Sequence, residues 1–302
     1  MNLKKAMKFG ITLGLGLTLA ACGNSTSNVT DTGSAEGGFD AAQDIHVISR
    51  EDGSGTRGAF TEITTILEED AEGNEVDGTY MEATIQNSTD GVMTSVSGDE
   101  TAIGYISLGS LNDTVKAVNI EGVEATAETI ADGSYAIARP FNVVYKDNLG
   151  EAAQDFWDFM FSQQGQEIVE SEGYVTATED ASEYTAPTDL SGKVSVVGST
   201  SVTPVMEMLA EEYQTLNPEV TIDITSNGSS AGITAAVDGT ADIGMASREL
   251  KEEEQADLTA GVLAMDGIAV IVNENNTIDE LTMDQVKQIF TGELTTWEEL
   301  TK

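Results

Sequence analysis

The sequence predicts an α/β fold built as two domains. Three observations carry that expectation. The chain has 302 residues, with 40% hydrophobic and 6% aromatic content, enough to bury a large core and more than one typical domain needs. Three times, at 45–68, 194–217 and 220–239, an apolar strand-like run leads through glycines and hydroxyls into a helix-periodic run. Short apolar runs such as Gly267–Val272 read as strands covered on both faces.

In chain order, residues 1–22 read as a targeting segment. Lys4, Lys5 and Lys8 form a positive start, and Phe9 to Ala21 is apolar but too short for a typical membrane span. The segment ends Leu19-Ala20-Ala21-Cys22-Gly23, the pattern of a bacterial lipobox, whose cysteine is lipidated and becomes the first residue. The expected location is therefore the extracytoplasmic face of the cell membrane, anchored through lipid on Cys22. Cys22 is the only cysteine, which excludes an intramolecular disulfide and a cysteine-rich metal site. Residues 23–40 are rich in Ser, Thr, Gly, Asn and Asp and read as a flexible tether.

The body begins with the strand Ile45-His46-Val47-Ile48, followed by Arg50-Glu51-Asp52-Gly53-Ser54-Gly55-Thr56-Arg57 and a helix pattern at Phe60, Ile63, Ile66 and Leu67. Phe141–Tyr145 reads as a strand, and 151–170 as a helix with Phe156, Phe159 and Met160 on its core face. Residues 177–193 lack periodicity and read as a linker. The strand at 193–197 meets Gly198-Ser199-Thr200-Ser201, then a helix with Pro204 near its first position. Val220 to Thr225 alternates as a strand before Asn227-Gly228-Ser229-Ser230-Ala231-Gly232 and a helix closed by Asp238-Gly239. Ala241–Ala246 is a short buried strand that leaves Ser247 and Arg248 at its end. Thr282-Met283-Asp284-Gln285 is a capping box before Val286, Ile289 and Phe290.

A strand followed by glycines, hydroxyls and a helix N-terminus suits an oxyanion. The helix end offers unpaired N–H groups and partial positive charge, glycines permit close approach, and hydroxyls add donors. One such unit alone is also an ordinary strand–helix connection with a Ser/Thr cap. Three of them, converging at strand C-terminal ends, make a cleft site. The net charge of −40 argues against nucleic acid and anionic lipid surfaces as partners. It does not exclude a local anion site, because screening acts within roughly 8 Å at physiological salt. Enzyme classes find little support. His46 is the only histidine and lies in a strand pattern, Gly53-Ser54-Gly55 lacks nucleophile-elbow spacing, and no phosphate-loop lysine motif occurs.

The runs Gly198-Ser199-Thr200-Ser201-Val202, Asn227-Gly228-Ser229-Ser230-Ala231-Gly232, Asp242–Arg248, Ala264–Val270 and Arg50–Arg57 together resemble the substrate-binding proteins of bacterial phosphate ABC transporters, the Pst type. The resemblance spans nearly everything from 44 to 302. It implies a two-lobed, type II periplasmic-binding-protein-like clamp with ligand between the lobes. Its two halves stand in reversed order here, which reads as a circular permutation. The old ends would be joined by 179–193 and a new cut opened between Trp297 and Ile45. A truncated reading frame and a domain-swapped dimer are the alternatives. Carried onto this order, one lobe holds 41–129 plus 273–302, the other 130–272, with hinges near Asn273 and 110–130.

Residue by residue, the resemblance assigns phosphate binding to Arg50, Ser54, Gly55, Thr56, Thr200, Ser201 and Ser229, supported by Ser247. Asp52 is placed to orient Arg50. Arg248 stands where some relatives carry an aspartate that accepts the proton of hydrogen phosphate. An arginine cannot do that, so Arg248 is a candidate anion ligand instead. The implied protein is non-catalytic, needs no cofactor or metal, and works as a monomer with the permease and ATPase subunits of an importer. Binding of sulfate or molybdate, or an anion-sensing or scaffold role without transport, are the competing readings.

Overall fold

The computed structural model describes residues 39–70, 72, 74–178 and 180–301; the targeting segment, Cys22 and residues 23–38 of the tether lie outside the described residues. The first stretch of the chain forms β1 (His46–Arg50), α1 (Gly55–Ile63), the hairpin β2–β3 (Leu67–Glu69, Glu75–Asp77), β4 (Thr84–Gln86), α2 (Thr89–Ser97) and β5 (Ala102–Ser107). Then come β6 (Lys116–Ala117), β7 (Asn119–Ile120), α3 (Ala127–Ala131), β8 (Ala138–Tyr145), α4 (Glu151–Met160), α5 (Gln163–Ser171) and β9 (Val175–Thr176). The remainder is β10 (Gly192–Gly198), α6 (Thr203–Leu216), β11 (Val220–Ser226), α7 (Ser229–Val237), β12 (Ile243–Ala246), α8 (Glu252–Asp257), β13 (Thr259–Val272), β14 (Glu280–Leu281) and α9 (Met283–Thr291).

One sheet runs in the order β11-β10-β12-β8-β13-β5-β1-β4, with β6 and β9 also on β13. Its two ends are parallel triads, β11-β10-β12 and β5-β1-β4. Between them β8 and β13 run antiparallel to each other and to their neighbours. In the triads a helix follows directly on β1, β4, β10 and β11. Parallel strands put those four helix N-termini at the C-terminal edges of their sheets, where open α/β sheets receive ligands.

Two large cores hold the fold, with a smaller cluster of Val144, Ile233, Ala236, Ala246, Leu250 and Leu258 beside them. The first gathers Val47 and Ile48 of β1, Phe60, Val92, Val96, Ile103, Tyr105 and Ile106, the α9 face (Val286, Ile289, Phe290) and Trp297. The second gathers Val194 and Val196 of β10, Phe156, Phe159 and Met160 of α4, and Val205, Leu209 and Tyr213 of α6. Two strands serve both. Ile268–Val272 of β13 belong to the first core and Leu263 and Ala264 to the second; Ile137 lies in the first and Phe141 of β8 in the second. The passage between cores therefore falls at 137–141 and 264–268, not near 110–130 and Asn273. The strand expected at Gly267–Val272 starts eight residues earlier, at Thr259, and includes Asp266. In the fold that carboxylate is paired, and the strand continues through it for 14 residues.

The expected helix over 151–170 is two helices. Phe161 closes the first and Ser162 caps the second, accepting from the Gly165 amide. A side chain at Gly165 would sit 2.2 Å from the Phe159 carbonyl, so this tight corner requires glycine. The segment 180–191 has no regular structure, yet it is pinned. Tyr184 packs edge-on against Phe159 and donates to Asp155 Oδ2 at 2.6 Å. The described chain ends lie side by side on the first core. The Ile45 amide donates to the Thr295 carbonyl and the Glu298 amide to Ala41, both at 2.7 Å. Phe39 meets the buried Trp297 edge-on, and the indole donates to the Thr101 carbonyl at 3.1 Å.

Candidate functional site

Four strand–helix corners bring hydroxyls together where the cores face each other. Arg50 ends β1. Gly53, with φ of 85°, turns the chain into α1, whose N-cap Ser54 accepts the Arg57 amide through Oγ and so keeps its own proton to donate. Thr56 follows in the first turn and shares a hydrogen bond of 2.8 Å with Ser201 from the β10–α6 corner. Thr200, beside it, accepts from Arg50 Nη2 at 2.9 Å. Ser229, the first residue of α7, accepts the Ser247 amide at 3.1 Å, and Ser199 donates to Ser247 Oγ at 2.9 Å. The corners approach closely: a Cβ on Gly55 would lie 2.4 Å from Ser229 Oγ and 2.9 Å from Ser247 Oγ. The Ser230 amide also reaches across to the Gly53 carbonyl at 3.1 Å.

The electrostatics favour an anion. Arg50 is 1% exposed, and its Nη1 is a buried donor without a partner. Its other edge is fixed by Glu51, which accepts from Nε at 2.8 Å and from Nη2 at 2.9 Å. The remaining groups are neutral hydroxyls and backbone amides. The chain carries 53 acidic residues, and α2, α3, α4, α8 and α9 each have acid in the first turn. Of the four helices that open on this cluster, α1, α6 and α7 have none, while α2 carries Asp90. The N-terminal dipoles of α1, α6 and α7 are left uncompensated there.

Of the residues singled out in the sequence, Arg50, Gly55, Thr56, Thr200, Ser201, Ser229 and Ser247 are brought together, and Ser54 caps α1 beside them while lining a neighbouring cavity. Two are not. Asp52 does not orient Arg50: it is exposed and accepts from Arg57 Nη1 at 3.0 Å, while adjacent Glu51 holds Arg50. Arg248 turns away to a bidentate pair with Glu254 at 2.7 and 2.8 Å, and donates to the Glu249 carbonyl. Both residues line that neighbouring cavity, of about 440 Å³, with Arg57, Ser230 and Lys251. Burial pushes the Glu254 carboxyl up, but the hydrogen bonds from Arg248 and the Lys251 amide outweigh it and hold the carboxyl below its usual range. Sequence reading missed Glu51, Ser199 and Thr89. Thr89 Oγ1 lies 3.3 Å from Ser201 Oγ and 3.4 Å from Thr200 Oγ1. The signal for Thr89 was present: Thr84–Gln86 followed by Asn87-Ser88-Thr89 is a fourth strand–hydroxyl–helix corner.

Two parallel half-sheets, a pair of strands crossing between two cores and a donor cluster at the facing helix ends define a clamp-type ligand-binding protein. The PBP superfamily domain matches residues 27–164 and 180–302. The chain is 52% identical to the phosphate-binding protein PstS 2 of Streptococcus pneumoniae, over 99% of this chain and 100% of that one. It is 48% identical to PstS 2 of Streptococcus agalactiae, over 96% and 95%. It resembles the crystal structure of a phosphate ABC transporter phosphate-binding protein from S. pneumoniae TIGR4, with 55% identity, 85% and 99% coverage and a TM-score of 0.69. The chain belongs to the PBP superfamily and, within it, to the family of these streptococcal phosphate-binding proteins. The expected α/β, type II clamp fold is thereby established.

Proposed function

We propose that this chain captures inorganic phosphate between its two lobes and delivers it to the permease and ATPase subunits of an ABC importer. The observation that carries the reading is the buried Arg50 with its free Nη1, set among hydroxyls from both cores. A tetrahedral anion needs several donors from several directions, and a guanidinium matches two of its oxygens. Hydrogen bonds to charged groups contribute about 1.5–3 kcal/mol each. Micromolar affinity needs about −8 kcal/mol, so a handful of such bonds suffices after ordering costs. The names of the relatives support phosphate over other oxyanions. The assigned ligands are Arg50, Ser54, Gly55, Thr56, Thr200, Ser201 and Ser229, with Glu51, Thr89, Ser199 and Ser247 behind them.

In this reading each core is one lobe, and the lobes part at 137–141 and 264–268. The lipid on Cys22 moors the chain at the extracytoplasmic face, and the working species is a non-catalytic monomer. The order of segments is a circular permutation, supported by the adjacency of Ile45 and Thr295 and by the pinned, unstructured 180–191 segment. No helix among the described residues is long and apolar enough to cross a membrane.

The test is calorimetric titration of residues 23–302, stripped of ligand by unfolding and refolding. Phosphate is expected to bind with a stoichiometry of about one and to resist excess sulfate. Arg50→Ala is expected to weaken it by about a hundredfold, the loss of roughly two charge-assisted donors. Heat with sulfate or molybdate but not phosphate would reject the ligand; an unchanged Arg50→Ala constant would reject the site.

A further inference from the structure

The two strands that pass between the cores meet at a buried ion pair. Arg139 on β8 and Asp266 on β13 are register partners, and Arg139 Nη2 donates to Asp266 Oδ2 at 3.0 Å with both side chains inaccessible. Such a pair is weak evidence for stability, because desolvating both charges offsets their attraction. The other arm of the guanidinium is more specific. Arg139 Nη1 donates to the backbone carbonyl of Ser247 at 3.0 Å. Ser247 stands at the middle of the hydroxyl cluster. Its Oγ lies 2.9 Å from Ser199 Oγ and 3.4 Å from Ser229 Oγ, and its amide donates to Ser229. The guanidinium lies 5.3 Å over the Phe141 ring, which restrains its plane.

We infer that Arg139 is a positioning residue of the anion site, an assignment that rests on the phosphate reading above. It fixes the Ser247 backbone, and through Ser247 the hydroxyls of Ser199 and Ser229, while Asp266 holds its other edge. Only a planar fork spans both acceptors; a lysine keeps the charge opposite Asp266 but loses the second arm. Because this contact sits where both strands cross from core to core, one side chain sets the crossing and the cluster together.

The experiment combines Arg139→Lys, Ser247→Ala and the double variant in the soluble chain. In ligand-free proton–nitrogen spectra, Arg139→Lys is expected to shift the amides of Ser199, Ser229 and Ser247 and leave those of α9 in place. Asp266→Asn, which frees the other edge of the guanidinium, is expected to move the same three signals and serves should the lysine variant not fold. In phosphate titrations Ser247→Ala is expected to cost about tenfold in the parent but less than about threefold on Arg139→Lys, the non-additivity of residues acting in one chain of contacts. Unmoved amides, or losses that simply multiply, would overturn the assignment. Failure of the phosphate reading looks different: the parent spectrum ignores inorganic phosphate, while the ligand-free spectra still report on Arg139.

Discussion

Gly55 and Gly198 show how one residue type serves two ends. Gly198 has a φ of 146°, and a Cβ there would lie 2.3 Å from the Met245 carbonyl, inside the sheet. Gly55 faces the side chains of Ser229 and Ser247 in the opposing corner. Gly55→Ala therefore keeps each lobe intact and wedges the two apart. Its expected signature is a loss of about tenfold or more in phosphate affinity, some 1.4 kcal/mol, with the melting temperature of the ligand-free protein unchanged. An equal loss in both would mean that the closed approach is part of the fold itself. Arg248 makes the complementary point. Its guanidinium is occupied by Glu254, so a cation at the right place in the sequence is not a cation in the site.

The Arg248–Glu254 pair ties the turn after β12 to the first turn of α8, and its pH dependence has a definite sign. The folded state holds Glu254 below the usual carboxylate value of 4.5. The stabilisation is therefore complete above that value and is lost as pH falls through the lower, folded one. Glu254→Gln is expected to melt earlier than the parent at neutral pH, with the gap closing in acid; a gap of constant size would show that the pair contributes nothing through titration. Elements of this kind also show what sequence reveals. The corners at 50–57, 198–203 and 227–232 were legible because glycine, hydroxyl and helix period occur together. So was the capping box of α9. The fourth corner, at Thr89, is faint in the sequence, because β4 has only three residues, two of them exposed. Asp266 hid half of β13, since no local pattern announces that a charge is met by Arg139 from another strand. Glu51 was missed for a simpler reason: spacing along the chain does not say which of two neighbouring carboxylates turns back.

At the scale of the molecule, the proposed circular permutation makes its own prediction. A chain cut within 180–191, with its present ends joined across the Ile45–Thr295 contact, is expected to fold and to bind phosphate within about threefold of the parent, less than 1 kcal/mol. Insoluble protein, or a binding species found only as a dimer, would mean that the present order is needed for closure. Both described ends of the chain rest on the first core, while Tyr184 fastens the 180–191 segment to the second. A fluorescent reporter built by labelling the two ends would therefore be blind to the clamp, because both dyes would ride on one lobe. Moving one dye into the segment around Tyr184 puts the pair on opposite jaws, and the distance between them becomes a direct gauge of closure.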